Sequence, residues 1–336
     1  MNFFRKMRAP IFFEVSNSAG LKLEQLQSIN ASHLPADIRK KLEDDIKKTI
    51  LGINGEQNVA YELQNSRMPM YALQDLHLSD GQSSAQVDFI VITRKCIFVI
   101  ECKNLYGNIQ INNNGDFIRK VDWKDKKEEG MRSPIRQNQI HLDVIKELMF
   151  YKKRGLFTSE ASFERAFHNM FRPVVVIAND RTVIDDRYAP AETKELVTRS
   201  DRLVAYIKQV NEQVDAPESS DKQLEAMAQF FYDAHTVRNV DYAERYRSQM
   251  IPEDKKTCPK CGKEMVMRVS SKTGDDYLGC TGYNETEAGC RHIEKACPKC
   301  EKEMVMKASH AGVDFLGCTG YKRDGGCKHT ISVGKK

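Results

Sequence analysis

One stretch of sixteen residues, 88–103, constrains the fold more than any other part of the chain. It reads DFIVITRKCIFVIECK, in which two apolar runs rich in β-branched and aromatic residues flank Arg94 and Lys95. Runs of this kind are typical of buried strands. Charged groups are seldom buried unless they are paired or hold a metal. Asp88, Glu101 and Lys103 end these strands and therefore need an explanation.

A hairpin would bring these three charged residues together. If Arg94 and Lys95 form a two-residue loop, Asp88 faces Glu101, and Lys103 lies on the same face of the sheet. Facing carboxylates repel each other unless a cation lies between them, and Mg²⁺ prefers oxygen ligands. The spacing therefore predicts a divalent-cation site beside an ammonium group. The alternatives are an ordinary ion pair at a solvated strand end, and a longer loop that shifts the register.

The surrounding pattern alternates helices and strands. Pro35 begins a helix that Gly52 and Gly55 interrupt, and a second helix follows with Glu56 at its start. The later predictions are a strand over 70–78, a hairpin over 107–121 turning at Asn114-Gly115, a helix from Pro134 to about Arg154, strands over 173–180 and 192–199, a helix from about Ser200 to Val214 and a last helix over 224–235.

An ordered set of short motifs carries a family resemblance. These are Gly55-Glu56, Gln86-Val87-Asp88, Ile100-Glu101-Cys102-Lys103-Asn104, Gly107, PIRQNQIH (134–141) and VVVI (174–177). Asp88 with Glu101-Cys102-Lys103 resembles the D…(D/E)-x-K motif of the PD-(D/E)xK nuclease superfamily. The whole set is similar to the nuclease-related domain, NERD. The resemblance implies an α/β, restriction-endonuclease-like mixed sheet flanked by helices, and metal-dependent cleavage of DNA.

The resemblance also implies roles for individual residues. Asp88 and Glu101 would hold Mg²⁺ (or Mn²⁺), with the Cys102 carbonyl as a further ligand, and Glu56 would be an outer or second-metal ligand. Lys103 would orient the attacking water or stabilise charge on the phosphate. Gln137 would lie at the rim of the site, unless it is an ordinary exposed glutamine. For His141, one helical turn from Gln137, we prefer a structural role.

Eight of the ten cysteines follow residue 257 and form a repeat. CPKCGKEMVM (258–267) returns as CPKCEKEMVM (297–306), and LGCTGY (278–283) returns at 316–321. Each copy supplies four thiolates, which suits tetrahedral structural zinc: Cys258, Cys261, Cys280 and Cys290 in the first, and Cys297, Cys300, Cys318 and Cys327 in the second. Disulfides and iron–sulfur ligation are the alternatives. Segments of about forty residues need such a metal because they bury little core.

The repeat resembles the C-terminal four-cysteine zinc ribbons of bacterial type IA DNA topoisomerases, which bind single-stranded DNA. The resemblance implies stacking of bases on Tyr283 and Tyr321, whereas Tyr277 and Phe315 are assigned to the small ribbon cores. The candidates for phosphate contact are Lys260, Arg268, Lys299, Lys307, Lys322 and Arg323. Residues 255–336 hold 16 Lys and Arg against 10 Asp and Glu, a bias that favours a polyanionic partner.

These patterns predict five regions: an N-terminal extension (1–34), a nuclease-like domain (35–215), a helical linker (216–254) and two zinc ribbons (255–294 and 295–336). The start has no good signal peptide and no run is long enough for a membrane span, so we expect a cytoplasmic protein, with nucleoid association possible. The predicted function is a Mg²⁺-dependent nuclease brought to single-stranded or branched DNA by its ribbons. The alternatives are a catalytically silent nucleic-acid-binding scaffold and an RNA-directed nuclease.

Overall fold

A computed structural model describes residues 7–31, 34–121, 128–152, 159–250, 257–269, 276–284, 289–294, 297, 299, 302, 304–308, 314–320 and 326–332. The chain divides into two compact units. The first comprises residues 1–24 and 47–240, and the second comprises residues 25–46 and 241–336. Among the described helices, none is both long and apolar enough to cross a membrane.

The secondary structure is mixed. The strands are β1 (Ile11–Glu14), β2 (Tyr71–Ser79), β3 (Ser84–Ile92), β4 (Ile97–Lys103), β5 (Asn108–Ile111), β6 (Phe117–Lys120), β7 (Glu128–Met131), β8 (Phe171–Ile177), β9 (Ile184–Asp185), β10 (Val197–Arg199), β11 (Met265–Val269), β12 (Asp276–Cys280), β13 (Ile293–Glu294), β14 (Met304–Ala308), β15 (Asp314–Cys318) and β16 (Thr330–Ser332). The helices are α1 (Ser18–Gln27), α2 (Ala36–Gln64), α3 (Pro134–Lys152), α4 (Glu160–Met170), α5 (Ala191–Glu195), α6 (Leu203–Gln213), α7 (Asp221–Ala234) and α8 (Glu244–Arg247).

A six-stranded mixed sheet forms the centre of the first unit, in the order β1-β2-β3-β4-β8-β10. Strands β2, β3 and β4 are antiparallel, whereas β1, β8 and β10 each pair in parallel with a neighbour. Helices α3, α4 and α7 pack against one face, and α2 and α6 pack against the other. The predicted α/β class, a mixed sheet flanked by helices, is confirmed.

The alternation of side chains shifts by one residue within β2 and β3. On the face covered by α3, the buried residues are Tyr71, Leu73, Leu76 and Leu78 in β2, and Ala85, Val87, Ile90 and Ile92 in β3. Within each strand the buried residues are two positions apart, except for one interval of three positions that contains Asp75 in β2 and Asp88 in β3. The ladder pairs Gln74 with Phe89 and Leu76 with Val87, so both breaks fall at the same rung. Asp75 has a φ of 56°, which accounts for the distortion in β2.

The prediction of two helices before β2 is wrong, because α2 continues through both glycines. A glycine inside a helix costs about 1 kcal/mol relative to alanine, which does not by itself end a helix. Packing also favours glycine at position 55, because a Cβ at this position would lie only 2.4 Å from the Cβ of Asn104 and would clash with it. Asn104 follows β4 and its Nδ2 donates to the carbonyl of Leu51 at 2.7 Å. The glycine therefore lets α2 approach the end of β4.

Other expectations need correction at particular elements. The strand predicted over 192–199 is α5 followed by the short strand β10. Helix α7, predicted to lie in a linker, buries Leu224 and Phe231 against the central sheet. Strand β1, in the segment predicted as an extension, pairs with β2. Strands β1 and β10 are short, so their structure depends on contacts with the sheet more than on their own pattern, whereas for α7 only its packing partner was not predicted.

The predicted hairpin over 107–121 is confirmed as β5 and β6. Its turn contains Gly115, whose φ of 79° suits a residue without a Cβ. These strands belong to a second sheet with the order β7-β6-β5-β9.

The second unit contains a helical cluster and two small sheets. Leu26, Leu34 and Leu42 pack with Ala243 and Tyr246 in the cluster. The small sheets have the orders β11-β12-β13 and β14-β15-β16, so the sequence repeat is also a structural repeat. The predicted domain boundaries stay a prediction.

Candidate active site

The hairpin of β3 and β4 has the predicted loop and register. Thr93 N–H donates to the carbonyl of Cys96 at 2.9 Å, which closes the turn at Arg94 and Lys95. The antiparallel backbone pairing of β3 with β4 extends from Ile92 opposite Ile97 to Phe89 opposite Ile100. Beyond the last pair, the backbone ladder gives way to a side-chain contact. The Cys102 N–H donates to Asp88 Oδ2 at 2.7 Å.

A cleft of about 430 Å³ opens at this end of the hairpin. It is lined by Gly52, Glu56, Ser84, Ala85, Gln86, Asp88, Glu101, Cys102, Lys103, Arg132, Gln137, Ile140 and His141. The five predicted catalytic residues, Glu56, Asp88, Glu101, Lys103 and Gln137, are all among them. Helix α2, strands β3 and β4, and helix α3 each contribute to the set. The catalytic role of these residues stays a prediction.

Glu101 lies deepest, with 1% of its surface exposed. Its Oε1 forms an ion pair with Lys103 Nζ, which also donates to Gln137 Oε1 at 3.1 Å. Gln137 is therefore an integral part of the cleft and not an ordinary exposed glutamine. On the other side, Glu101 Oε2 faces His141 Nδ1 at 3.5 Å. His141, for which a structural role was predicted, is buried in the cleft wall.

Burial perturbs the acidic groups of the cleft. It raises the pKa of Glu56 to about 8, with a further contribution from Asp88 and an opposing hydrogen bond from Gln74. Burial also raises the pKa of Asp88 and that of Glu101, and Lys103 only partly opposes it. Three carboxyl groups with raised pKa values face one lysine, so the site favours protons or a cation at neutral pH.

Asp75 neighbours the same cleft and behaves differently. Burial alone would raise the pKa of Asp75, but hydrogen bonds from Ser18 and Ser16, and a further one from Gln86, outweigh it and lower the pKa. Ser18 N–H donates to Asp75 Oδ2 at 2.6 Å and Gln86 Nε2 donates to Oδ1 at 2.8 Å. This carboxylate is satisfied by protein donors, and its charge contributes to the raised pKa of Asp88. Asp75 thus supports the distorted rung and does not line the cleft.

The cleft suits a divalent cation with few protein ligands. Among the described residues, only the cysteine clusters bring three or more donor atoms within 4.8 Å of one another. Mg²⁺ is commonly held by one or two carboxylates, with water and substrate phosphate supplying the remainder. Within the described part of the chain, Glu101 Oε2 is buried without a hydrogen-bond partner. A buried, unsatisfied carboxylate oxygen facing a cleft is a suitable ligand for such an ion.

Two residues of this region were not predicted from the sequence. Asn138 is fully buried, and its Nδ2 donates to the carbonyls of Val99 at 2.8 Å and Val174 at 3.0 Å. It anchors α3 to β4 and β8 between Gln137 and His141. Its position on the apolar stripe of α3, one turn before Leu142, was the available signal. Arg132 precedes α3 and adds a second basic group to the cleft, with no distinguishing pattern in the sequence.

The cysteine clusters assemble as the repeat predicts. In the first ribbon, the Sγ atoms of Cys258, Cys261, Cys280 and Cys290 lie within 4.8 Å of one another. Cys297, Cys318 and Cys327 form the equivalent cluster, and Cys300 lies outside the described residues. The recorded Sγ–Sγ distances of 3.6, 3.2 and 3.4 Å are too long for disulfides, and they approach the roughly 3.7 Å edge of a tetrahedral zinc–thiolate site. The clusters support structural zinc.

The two ribbons share their backbone hydrogen bonds as well. Gly282 N–H donates to Cys280 Sγ at 3.3 Å, and Gly320 N–H donates to Cys318 Sγ at 3.2 Å. Hydrogen bonds of this kind stabilise thiolates and orient them toward a metal. The two ribbons therefore resemble each other both in sequence and in the orientation of this cysteine ligand.

The predicted nucleic-acid contacts are described in part. Tyr283 is 52% exposed, and Lys260 and Lys299 are exposed. Arg268 faces Tyr277 across the β11–β12 ladder, and Tyr277 is half-buried. Tyr321, Lys322 and Arg323 lie outside the described residues, as do the side chains of Lys307 and Phe315.

Comparison with known proteins agrees with both parts of the chain. Residues 51–178 match the family model of the nuclease-related domain, a range that includes all five predicted catalytic residues. Residues 255–288 and 294–336 match that of the topoisomerase DNA binding C4 zinc finger. No curated protein and no solved structure matched the chain. The chain therefore combines a nuclease-related domain with two C4 zinc ribbons of the topoisomerase type.

Proposed function

We propose that this protein is a divalent-metal-dependent nuclease that cleaves DNA, and that its zinc ribbons hold single-stranded or branched DNA. The observation that carries the proposal is the cleft at the end of the β3–β4 hairpin. There, Asp88, Glu101 and Lys103 converge in a nuclease-related domain, beside the distorted rung between β2 and β3. The arrangement of Asp88 with Glu101-Cys102-Lys103 supports membership of the PD-(D/E)xK superfamily.

Some residues of the cleft would bind the metal ion, and others would stabilise charge on the phosphate. Asp88 and Glu101 would hold Mg²⁺ or Mn²⁺, with Glu56 as an outer ligand. When bound, the ion would lower the pKa of an attacking water and neutralise charge on the phosphate. Lys103 would stabilise the negative charge that builds on the phosphate in the transition state. Gln137 would keep the lysine in place through the hydrogen bond between Lys103 Nζ and Gln137 Oε1.

The zinc ribbons indicate that the nucleic acid bound by this protein is DNA. They match a DNA-binding zinc finger, and Tyr283 offers an exposed aromatic surface within a segment that has more basic than acidic residues. Bases of a single strand can stack on such a surface, whereas bases inside a duplex cannot. The preference for single-stranded or branched DNA rests on this chemistry.

Cleavage by the purified, zinc-replete chain tests the proposal. We expect cleavage of single-stranded or branched DNA when Mg²⁺ or Mn²⁺ is added, and none in desalted protein without added divalent ion. Asp88→Asn should reduce the rate by at least about 100-fold, because it removes a charged ligand. Asp143→Asn, an exposed aspartate on α3, is the matched control and should keep the wild-type rate.

Two outcomes would count against the nuclease. If the wild-type protein binds DNA but leaves single-stranded, branched and duplex DNA intact with either ion, the chain is a silent nucleic-acid-binding scaffold. If RNA is cleaved and DNA is not, the substrate assignment is wrong and the site assignment stands.

A further inference from the structure

The cleft contains a buried histidine nitrogen that the proposed roles do not use, and it faces the Glu101 oxygen that is available to an ion. Within the described part of the chain, His141 Nδ1 and Glu101 Oε2 are both buried without a hydrogen-bond partner. They face each other at 3.5 Å, and the two side chains are 7% and 2% exposed. An unsatisfied buried polar atom is unfavourable, so two that face each other point to a ligand that both atoms can bind.

The separation of the two atoms suits two ligands of one metal ion. Donor atoms that each lie about 2.1 Å from an ion, with an angle of about 90–110° between them, are about 3.0–3.5 Å apart. By contrast, 3.5 Å is long for an N–H···O hydrogen bond, for which about 2.9 Å is typical. The other carboxylate oxygen, Oε1, is already occupied by Lys103, so only Oε2 is available for an ion on this side.

The surroundings hold this pair in place. Asn138 fixes α3 to the sheet three residues before His141, through its hydrogen bonds to Val99 and Val174. Glu101 lies on β4, the strand that Asn138 contacts. Both donors therefore come from elements whose relative position the fold determines, which is what a selective metal site requires.

The chemistry of the donors indicates which ion they prefer. Mg²⁺ is coordinated by oxygen and rarely by imidazole, whereas Mn²⁺ and later first-row divalent ions accept both carboxylate and imidazole ligands. We infer that His141 Nδ1 is a metal ligand together with Glu101 Oε2, and that it makes the cleft selective for Mn²⁺ over Mg²⁺. The inference rests on the proposed function, because it concerns the ion of the same site, but it can be measured without cleavage.

Electron paramagnetic resonance of Mn²⁺ tests this inference on the zinc-replete full chain. Zn²⁺ gives no signal in this experiment. We expect the bound Mn²⁺ to show hyperfine coupling to one imidazole nitrogen, and to bind at least about 10-fold more tightly than Mg²⁺ measured by competition. His141→Leu should abolish the nitrogen coupling and weaken Mn²⁺ binding about 10–100-fold, with Mg²⁺ affinity changed less than about threefold.

Two further variants keep the result interpretable. His168→Gln, an exposed histidine on α4, should leave both the coupling and the affinity unchanged. His141→Gln retains a polar side chain if His141→Leu proves unstable, and it too should lose the nitrogen coupling. The inference is overturned if wild-type Mn²⁺ shows no nitrogen coupling, or if the coupling persists in both His141 variants.

The two proposals fail in different ways. Nitrogen-coupled Mn²⁺ in a protein that cleaves no nucleic acid would support His141 as a ligand and contradict the nuclease. Cleavage by a protein whose Mn²⁺ shows no nitrogen coupling would do the reverse, and His141 would then have a purely structural role.

Discussion

The zinc ribbons and the cleft differ in how far the fold assembles their candidate metal ligands. In the first zinc ribbon, all four thiols lie within 4.8 Å of one another. In the cleft, Glu56, Asp88 and Glu101 come from different elements, do not reach that spacing, and have raised pKa values. The ribbon ligands have one possible partner, a tetrahedral metal. The cleft carboxylates share their space with protons, Lys103 and substrate.

Such a difference is expected if the ribbons hold a structural metal and the cleft holds the catalytic metal that we propose. A ribbon cannot fold without its ion, because it has almost no other core. The cleft lies on a large sheet with helices packed on both faces, so its residues keep their positions whether or not an ion is bound. The predictions that follow test this contrast, from the largest expected effect to the smallest.

Removing a ribbon ligand should have the largest effect. Cys258→Ser leaves three thiolates, so we expect the first ribbon to unfold and the zinc content to fall from two ions per chain to one. The free energy at stake is on the order of 10 kcal/mol, the usual range for structural zinc. Metal analysis of the purified variant measures the loss. Cys96→Ala, at a buried cysteine away from the clusters, should keep both ions.

Asn138→Ala should destabilise the nuclease-related domain by about 2–4 kcal/mol. The variant loses two buried hydrogen bonds and leaves a cavity between α3 and the sheet. Denaturant unfolding measures this change, and Arg136→Ala, exposed on the same helix, should alter it little. If withholding Mg²⁺ and Mn²⁺ destabilises the domain more than this variant does, the metal and not the fold assembles the cleft.

Stability should depend on pH through Glu56. Its pKa rises to about 8 on folding from an unfolded value near 4.5, so the folded state binds more protons between these values. Stability is therefore greatest below about pH 4.5 for this group and falls as the pH rises toward 8. At pH 8, without divalent ions, Glu56→Gln should be more stable than the wild type, by on the order of 1–3 kcal/mol.

The difference between Glu56→Gln and the wild type should disappear near pH 4.5, and Mn²⁺ should reduce it at pH 8. Thermal unfolding at the two pH values provides the measurement. Glu43→Gln, exposed on the same helix, controls for the loss of a carboxylate. A wild-type protein that is as stable as Glu56→Gln at pH 8 would show that the cleft does not penalise ionised carboxylates.

The smallest predicted effect concerns DNA binding by the ribbons. Tyr283→Ala should weaken binding of single-stranded DNA about 10-fold, because stacking of one base on an aromatic ring is worth about 1–3 kcal/mol. Zinc content should not change. Tyr188→Ala removes a tyrosine that is 66% exposed in the first unit and should bind like the wild type. Equal affinities of the two variants would exclude Tyr283 as a stacking surface.

The hairpin and the ribbons could be predicted because short-range patterns determine them. Two apolar strands and a two-residue loop leave one register, and that register brings Asp88 toward Glu101. Repeated Cys-x-x-Cys spacing determines the ribbons in the same way. In both cases the partners are close in sequence or repeat within it.

The parts that could not be predicted depend on long-range packing. Gly55 lets α2 approach Asn104, and Asn138 anchors α3 to two strands that lie far apart in sequence, so neither contact follows from a local pattern. His141 illustrates the same limit. A single histidine on a helix is compatible with many roles. Only the distance between its Nδ1 atom and Glu101 Oε2 led us to infer that it binds a metal.

The most direct test of the central claim separates cleavage from binding at Lys103. DNA binding and single-turnover cleavage should be measured on the same zinc-replete samples of wild type, Lys103→Ala and Lys208→Ala, an exposed lysine on α6. We predict that Lys103→Ala binds DNA within about twofold of the wild type and cleaves it at least about 100-fold more slowly, while Lys208→Ala matches the wild type. Wild-type cleavage by Lys103→Ala would contradict the assignment of the cleft as the active site.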